Sequence, residues 1–320
     1  MKSALIASLA LFLAGGAWAQ GSYPSRPVTM VVGFAPGGGT DTVARIIAKN
    51  LSESLGQQVV VENKAGAGGN IAAEFVARAA PDGQTILLGS VGPFAVAPHM
   101  VAGLAYDPLR DFAPITMAVV FANVIVVPPS VPARNLTEFV KLAQAKPGSV
   151  TFGTSGIGGA GHLAGEMFNM LANLDLVHVP YKGGGPSMQG LLGGQVMSSF
   201  ATPVSVVEHM KAGKLRALAT TGPKRAQLLP DVPTVAESGY PGFEAMNWYA
   251  FVAPAKTPKA IIERLNRELV KALETPEVAA MLGKQGLETS PSTSAELGRY
   301  MEREYEAWGK VVKRAGIKAQ

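Results

Sequence analysis

Beyond the amino-terminal segment, the first strongly apolar run is Val28–Phe34, which is cut off by Ala35-Pro36-Gly37-Gly38-Gly39. A nearly continuous apolar run between breakers predicts a strand buried on both faces. Val43, Ile46, Ile47, Leu51 and Leu55 then recur at helical spacing and Gly56 follows as a stop, so a helix opens near Thr40 and Asp41. The alternation continues with a strand over Gln58–Glu62, a loop through Gly66–Gly69, a helix carrying Ile71, Phe75 and Val76, a turn at Pro81-Asp82-Gly83 and a strand over Thr85–Gly89. Apolar strands separated by helices predict a mostly parallel sheet flanked by helices.

The pattern restarts after Pro128. Helices are expected over Leu136–Ala145, Leu163–Leu171, Ser187–Leu192 and Val204–Ala212, with strands at Val150–Gly153, Leu176–Val179, Val196–Phe200 and Leu215–Thr220. A Pro/Gly-rich passage from Leu229 to Gly242 closes this second unit. One more strand, Phe243–Val252, and helices around Ile261–Leu273, Pro276–Gln285 and Ala295–Ala315 follow, expected to fold back onto the first unit. The chain would then cross between two lobes twice, near Met117–Val127 and near Gly242–Ala250, as in proteins that close around a ligand by hinge motion. The expected division is 1–19 as a leader, 20–122 plus 246–320 as lobe 1, and 123–245 as lobe 2.

The leader changes the compartment. Lys2, an apolar core over Ala4–Ala14 and Ala17-Trp18-Ala19 have the order of a secretory signal, with cleavage between Ala19 and Gln20 and a periplasmic mature protein. The apolar core is too short to span a bilayer. A second uncharged run, between Asp111 and Arg134, is broken by Pro114, Pro128, Pro129 and Pro132, so Ile115–Val127 is expected as one or two buried strands. The cysteine count is zero, and the formal net charge of +5 is scattered with no basic stripe, which leaves no nucleic-acid partner in view.

Two glycine-rich loops carry the chemistry. Pro36-Gly37-Gly38-Gly39 lies between a strand and a helix, where backbone can approach a ligand and uncapped N–H groups suit a carboxylate or phosphate. A tight turn with Thr40 as N-cap fits the same residues, and Asp41 in the first helical turn suits the dipole without touching a ligand. In the second lobe, Gly153–His162 repeats the arrangement, and Gly156-x-Gly158-x-x-Gly161 matches a dinucleotide fingerprint. Asp175, however, precedes the next strand instead of closing it, so the ribose partner is misplaced. Ser155 lacks the final glycine of a hydrolase elbow. The histidines His99, His162, His178 and His209 show no metal-ligand spacing. The hydroxyls of Ser90, Thr154, Ser155 and Thr202 accompany the loops without a reactive group. The inventory is that of a binding protein with no catalytic residue, metal or cofactor.

The order of these motifs resembles a family. Tyr23-Pro24-Ser25-Arg26-Pro27-Val28 leads into Phe34–Asp41, followed by Val61-Glu62-Asn63-Lys64, Gly66–Asn70, Phe152–Gly156, Pro180-Tyr181-Lys182-Gly183, Gly213–Ala219, Leu229–Thr234 and Gly239–Phe243. Across essentially the whole mature chain this is similar to the Bug-type (TctC-like) solute-binding receptors of tripartite tricarboxylate transporters. The resemblance implies a two-lobed periplasmic-binding-protein-like fold with the ligand cleft between lobes. It also implies a small carboxylate ligand, service to two integral membrane transporter subunits or to a sensor, and a monomer. The implied ligand-binding residues are Phe34, Ala35, Pro36, Gly37, Gly38 and Asp41 facing Thr154, Ser155 and Gly156; Ser90, His162, Ala201 and Thr202 are expected to complete the site. Two positions depart from the family pattern, which often has acidic residues where Gln189 and Ala201 stand here. Loss of the second carboxylate disfavours an amino-acid ligand and favours a neutral-tailed, aromatic or dicarboxylic one.

Overall fold

The computed structural model describes residues 23–315; the expected leader and its cleavage point lie outside them. Strand β1 (Val28–Val32) runs parallel to both β2 (Val59–Asn63) and β3 (Thr85–Ser90), with helix α1 (Gly39–Leu55) after β1 and α2 (Asn70–Ala77) after β2. Val43, Ala44, Ile47, Ala48 and Leu51 of α1 are buried against the sheet, and Gly56 ends the helix in the left-handed conformation at φ 66°. Helix α2 turns a different face inward from the one its large residues predict. Ala72, Ala73 and Val76 are buried, while Ile71 and Phe75 are 49% and 42% exposed. The cause is proximity: a Cβ on Gly33 would lie 2.7 Å from Gly69 Cα and 3.4 Å from Ala72 Cβ, so only small side chains fit between α2 and β1. Lys64 covers the outward ring, with Nζ 4.0 Å from the Phe75 centroid.

A segment not assigned from sequence follows β3. A π turn over Gly92–Val96 and the short helix α3 (Ala97–Met100) bury Phe94, whose ring stacks on Trp248 at 6.1 Å. The uncharged run then forms β4 (Phe112–Ala122) and β5 (Val124–Val127), and among the described residues no helix is long and apolar enough to cross a membrane. Strand β4 belongs to the first sheet and β5 to the second, so the chain changes sheets at Asn123.

The second sheet has the order β7-β6-β8-β5-β9, with β6 (Thr151–Thr154), β7 (Val177–Pro180), β8 (Ser198–Ala201) and β9 (Arg216–Thr220). Helix α4 (Leu136–Ala145) precedes β6, and α5 (Ala160–Leu171), α6 (Gly184–Leu192) and α7 (Pro203–Lys211) connect the later strands. The chain returns through β10 (Met246–Pro254), which inserts antiparallel between β3 and β4. Helices α8 (Lys259–Glu274), α9 (Pro276–Gly283) and α10 (Ser294–Ala315) follow, and β11 (Glu288–Thr289) pairs at the β4 edge. Both sheets are thus mostly unidirectional, each with a reversed strand at the crossover: β10 in one and β5 in the other. The fold is the two-lobed α/β arrangement expected, with the antiparallel insertions added. Glu304 of α10 accepts from Trp248 Nε1 at 2.9 Å and from Trp308 Nε1 at 3.2 Å, fastening the last helix over β10.

Candidate functional site

Strands β1, β3, β4, β6 and β8 all point their carboxyl ends at the junction of the two lobes, the usual place for a ligand in an open α/β sheet. A cavity of about 560 Å³, counting its solvent-open part, lies there. The lobes are closed upon each other: Ala35 N–H donates to Lys182 O at 2.9 Å, and Gly38, Gly68 and Gly92 of one lobe lie against Gly184, Gly156 and Gly158 of the other.

Four helices begin at this cavity. Gly38 and Gly39 of α1, Gly159 and Ala160 of α5, Gly184 of α6 and Thr202 before α7 line its wall. In none of the four does a side chain cap the first turn, and three of the N-cap residues are glycines. Their N–H groups are therefore left for a ligand, and the helix dipoles place partial positive charge around it. Not one lining residue is Asp, Glu, Lys, Arg or His. Among these lining residues, positive potential comes from dipoles and neutral donors alone.

Phe34, Gly38, Ser90, Thr154, Ser155, Ala201 and Thr202, all expected from sequence, line this cavity together. Six other expected residues do not. Ala35 and Pro36 instead form the interlobe seam, where the Ala35 N–H is used by Lys182 and Pro36 O faces Gly185. Gly156 lies in a second opening with Phe34, Gly66–Gly68 and Lys182, which shares Phe34 and Ser155 with the first. His162 is packed inside lobe 2, where its Nδ1 accepts from Gly158 N–H at 3.1 Å. Gly37 donates its N–H to Asp41 Oδ2 at 3.0 Å, so the two serve each other.

Asp41 acts as the post of the first loop. It is 4% exposed and also accepts from Asn63 Nδ2 at 2.9 Å, while Arg45 pairs with it at 2.9 Å. Burial raises its carboxyl pKa, but the hydrogen bonds from Arg45, Gly37 and Asn63 outweigh burial and hold it below the usual carboxylate range. Asn63 Nδ2 bridges onward to Phe34 O at 3.0 Å, which ties the loop to β2. Asp41→Ala removes these bonds, and since Arg45 and Gly37 can turn to water it is expected to cost about 2 kcal/mol of stability. The check is the urea midpoint at unchanged m-value; a loss below about 1 kcal/mol rejects the post assignment.

Two of the dinucleotide-like glycines, Gly156 and Gly161, have packing roles, and Gly158 meets nothing within 4 Å but sits at φ +74°. A Cβ on Gly161 would run into Phe200 O, and one on Gly156 would lie 3.2 Å from Gly68 Cα. Sequence reasoning missed Asn123, Ser187, Asn247 and Tyr249, all of which line the cavity. Asn123 is the only polar side chain in Val119–Val127, and an amide inside a buried apolar strand was the available signal. Its Nδ2 and the Ser187 Oγ are buried without a protein partner. The Tyr249 hydroxyl reaches the start of α1, where a Cβ on Gly39 would lie 2.6 Å from it, and burial pushes its pKa up, so it stays a neutral donor.

A buried, uncharged, donor-rich cleft agrees with the company the chain keeps. Residues 43–317 match the family described as the tripartite tricarboxylate transporter family receptor, TctC. Among similar solved structures is the periplasmic binding protein BugD, 37% identical over 93% of this chain and 100% of that one, with a TM-score of 0.90. An R. palustris protein solved with adipate is 35% identical over 92% of this chain and 99% of its own, at TM-score 0.89. MatC from Rhodopseudomonas palustris, with bound malate, is 34% identical over 91% of this chain and 100% of its own, at TM-score 0.87. These relatives are solute-binding proteins and not enzymes, and with them this chain belongs to the TctC family of tripartite tricarboxylate transporter receptors.

Proposed function

We propose that the chain is a periplasmic receptor that captures a small carboxylate between its lobes and delivers it to the integral membrane subunits of a tripartite tricarboxylate-type uptake system. The observation that carries the reading is the ring of uncapped helix starts around a cavity free of charged side chains. Such a site offers partial positive charge and N–H donors to an anion, each favourable end worth about 0.3–2 kcal/mol. In this reading residues 20–122 and 246–320 form one lobe and 123–245 the other. The leader is removed between Ala19 and Gln20, and the mature protein works as a monomer. Adipate and malate, held by the two R. palustris relatives, indicate the size of ligand to try first.

An ammonium group has no counter-charge in this cavity, since Ala201 and its lining neighbours supply no carboxylate. The ligand is therefore a carboxylate without an amino group. Thermal unfolding of the mature protein with adipate, malate, succinate and aspartate tests this, because a ligand selective for the native state raises the midpoint. At least one non-amino carboxylate should raise it by several degrees. Aspartate matching or exceeding succinate would overturn the exclusion of amino acids, and no response across C4–C8 carboxylates would overturn the receptor assignment.

A further inference from the structure

We propose that Asn123 is a specificity-determining residue: its carboxamide receives a second oxygen-bearing group of the ligand at the pivot between the lobes. The inference rests on the carboxylate reading above and adds where the far end of the ligand is read.

Asn123 is the single residue between β4 of one sheet and β5 of the other. Its backbone is fully engaged. The N–H donates to Thr221 Oγ1 at 2.9 Å, and the carbonyl accepts from Thr221 N–H at 2.9 Å. Thr221 immediately follows β9, and it is joined in turn to Ala245, which immediately precedes β10. Thr221 Oγ1 donates to Ala245 O at 2.7 Å, and Ala245 N–H donates to Thr221 O at 2.8 Å. The two connections between lobes are thus bolted together at one point, with Asn123 on the bolt.

From that fixed backbone the side chain faces the ligand cavity. Asn123 is 1% exposed, lines the cavity, and its Nδ2 finds no protein acceptor. A buried amide left unpaired is costly, and an alanine or valine would occupy the position without that cost, so a ligand acceptor is the missing partner. The uncapped helix starts on both lobes already provide for one carboxylate. The register that pairs Val124 with Ala201 brings Asn123 beside Thr202 at the start of α7, while the starts of α1, α5 and α6 serve the first carboxylate, so what meets Asn123 is a further oxygen: a second carboxylate, or a hydroxyl placed near one. Residues on a rotation axis move least when lobes swing, so Asn123 meets the ligand before closure as well as after it. Ser187, the other orphaned donor in the cavity wall, stands on α6 of lobe 2 and reaches the ligand as that lobe arrives.

The test compares the full mature chain with Asn123→Leu, a substitution of similar volume that removes the donor. Calorimetric titrations use matched pairs that differ by one carboxylate, adipate against hexanoate and succinate against butyrate. The wild type should prefer the diacid. N123L should lose about ten- to hundredfold for the diacid, the range for a hydrogen bond to a charged group, and less than about twofold for the monoacid. Equal weakening of both members would mean that Asn123 only braces the hinge, and unchanged diacid binding would mean that it makes no contact. Either result overturns the proposal, as does a wild type that binds hexanoate as tightly as adipate. A wild type that binds no member of either pair refutes the carboxylate reading itself. If N123L fails to fold, Asn123→Asp, nearly identical in shape, takes its place. Its carboxylate must weaken the diacid more than the monoacid, and equal effects on the two again overturn the proposal.

Discussion

Gly68→Ala should keep the lobes apart and weaken ligand binding by about a hundredfold, while both lobes stay folded. Gly68 sits in the loop between β2 and α2 at φ +64°, and a Cβ there would collide with the carbonyl oxygen of Ile157 in the opposite lobe. Neither partner can yield by changing rotamer, since the seam is backbone against backbone. Gly183, too, would place a Cβ 2.9 Å from Ala35 N. Overpacking of a tight contact costs about 1–3 kcal/mol, and the upper part of that range corresponds to about a hundredfold in affinity. Gly37→Ala is the control. It carries similar backbone strain at φ +83° but would meet nothing within 4 Å. Titration calorimetry with a carboxylate that binds the wild type measures both, and small-angle scattering with that ligand present reports whether the lobes close. If G68A binds as tightly as G37A, the glycine seam does not govern closure.

Acid should destabilise the protein above the pH range in which carboxylates titrate. His162 and His178 stack in lobe 2 with centroids 4.0 Å apart and ring planes 21° from parallel. Burial lowers the His162 pKa from 6.5 to about 4. Burial, and secondarily the charge of His162, lowers that of His178 to about 3. Glu166 faces the pair, its Oε1 3.8 Å from His162 Nε2, and burial raises its own carboxyl. The unfolded chain binds protons on these imidazoles below pH 6.5 and the folded chain does not, so stability rises with pH across this window. The contribution is complete above about pH 6.5 and drains away as the pH falls towards 4. For His162 alone it amounts to about 3 kcal/mol.

The same protons would reach the ligand loop. Protonated His162 Nδ1 can no longer accept from Gly158 N–H, and His178 Nε2 sits 2.7 Å from Oγ1 of Thr154, a cavity residue. Urea unfolding between pH 7.5 and 4.5 checks the expectation, with His162→Asn/His178→Asn as the comparison. Equal loss in the wild type and the double variant would assign the acid sensitivity to other groups.

Part of this was written in local sequence. Continuous apolar runs such as Val28–Val32 and Thr85–Ser90 marked strands buried on both faces, and helical periodicity marked α1, α4 and α8 close to their observed bounds. The glycine-rich breaks after β1 and β6 located both cavity-facing loops, because backbone approach leaves its signature in the residue type itself. The uncapped character of these helices stayed open in sequence, where Thr40 could equally cap α1; the observed N-caps, Gly38 and Gly159, have no side chain with which to cap.

Other features depend on neighbours far along the chain. Strand β10 is as apolar as a parallel strand, and only its pairing with β3 and β4 reveals that it runs the other way. Helix α2 presents alanines inward because Gly33 and Gly69 bring it too close to β1 for Ile71 or Phe75, a choice that periodicity alone reverses. Asp41 reads equally as ligand contact or loop post until Asn63, from another strand, is seen donating to it. Asn123 and Tyr249 looked like strand residues and became cavity wall only when the crossover strands met. The sequence by itself therefore determined most of the elements, the two-lobed class and the glycine loops, because these follow from local polarity and backbone freedom; the turn after β3, α3 and β11 were not among them. Tertiary structure alone decided strand direction, helix facing and the polar lining of the cleft, because each is settled by contacts between residues that the chain keeps far apart.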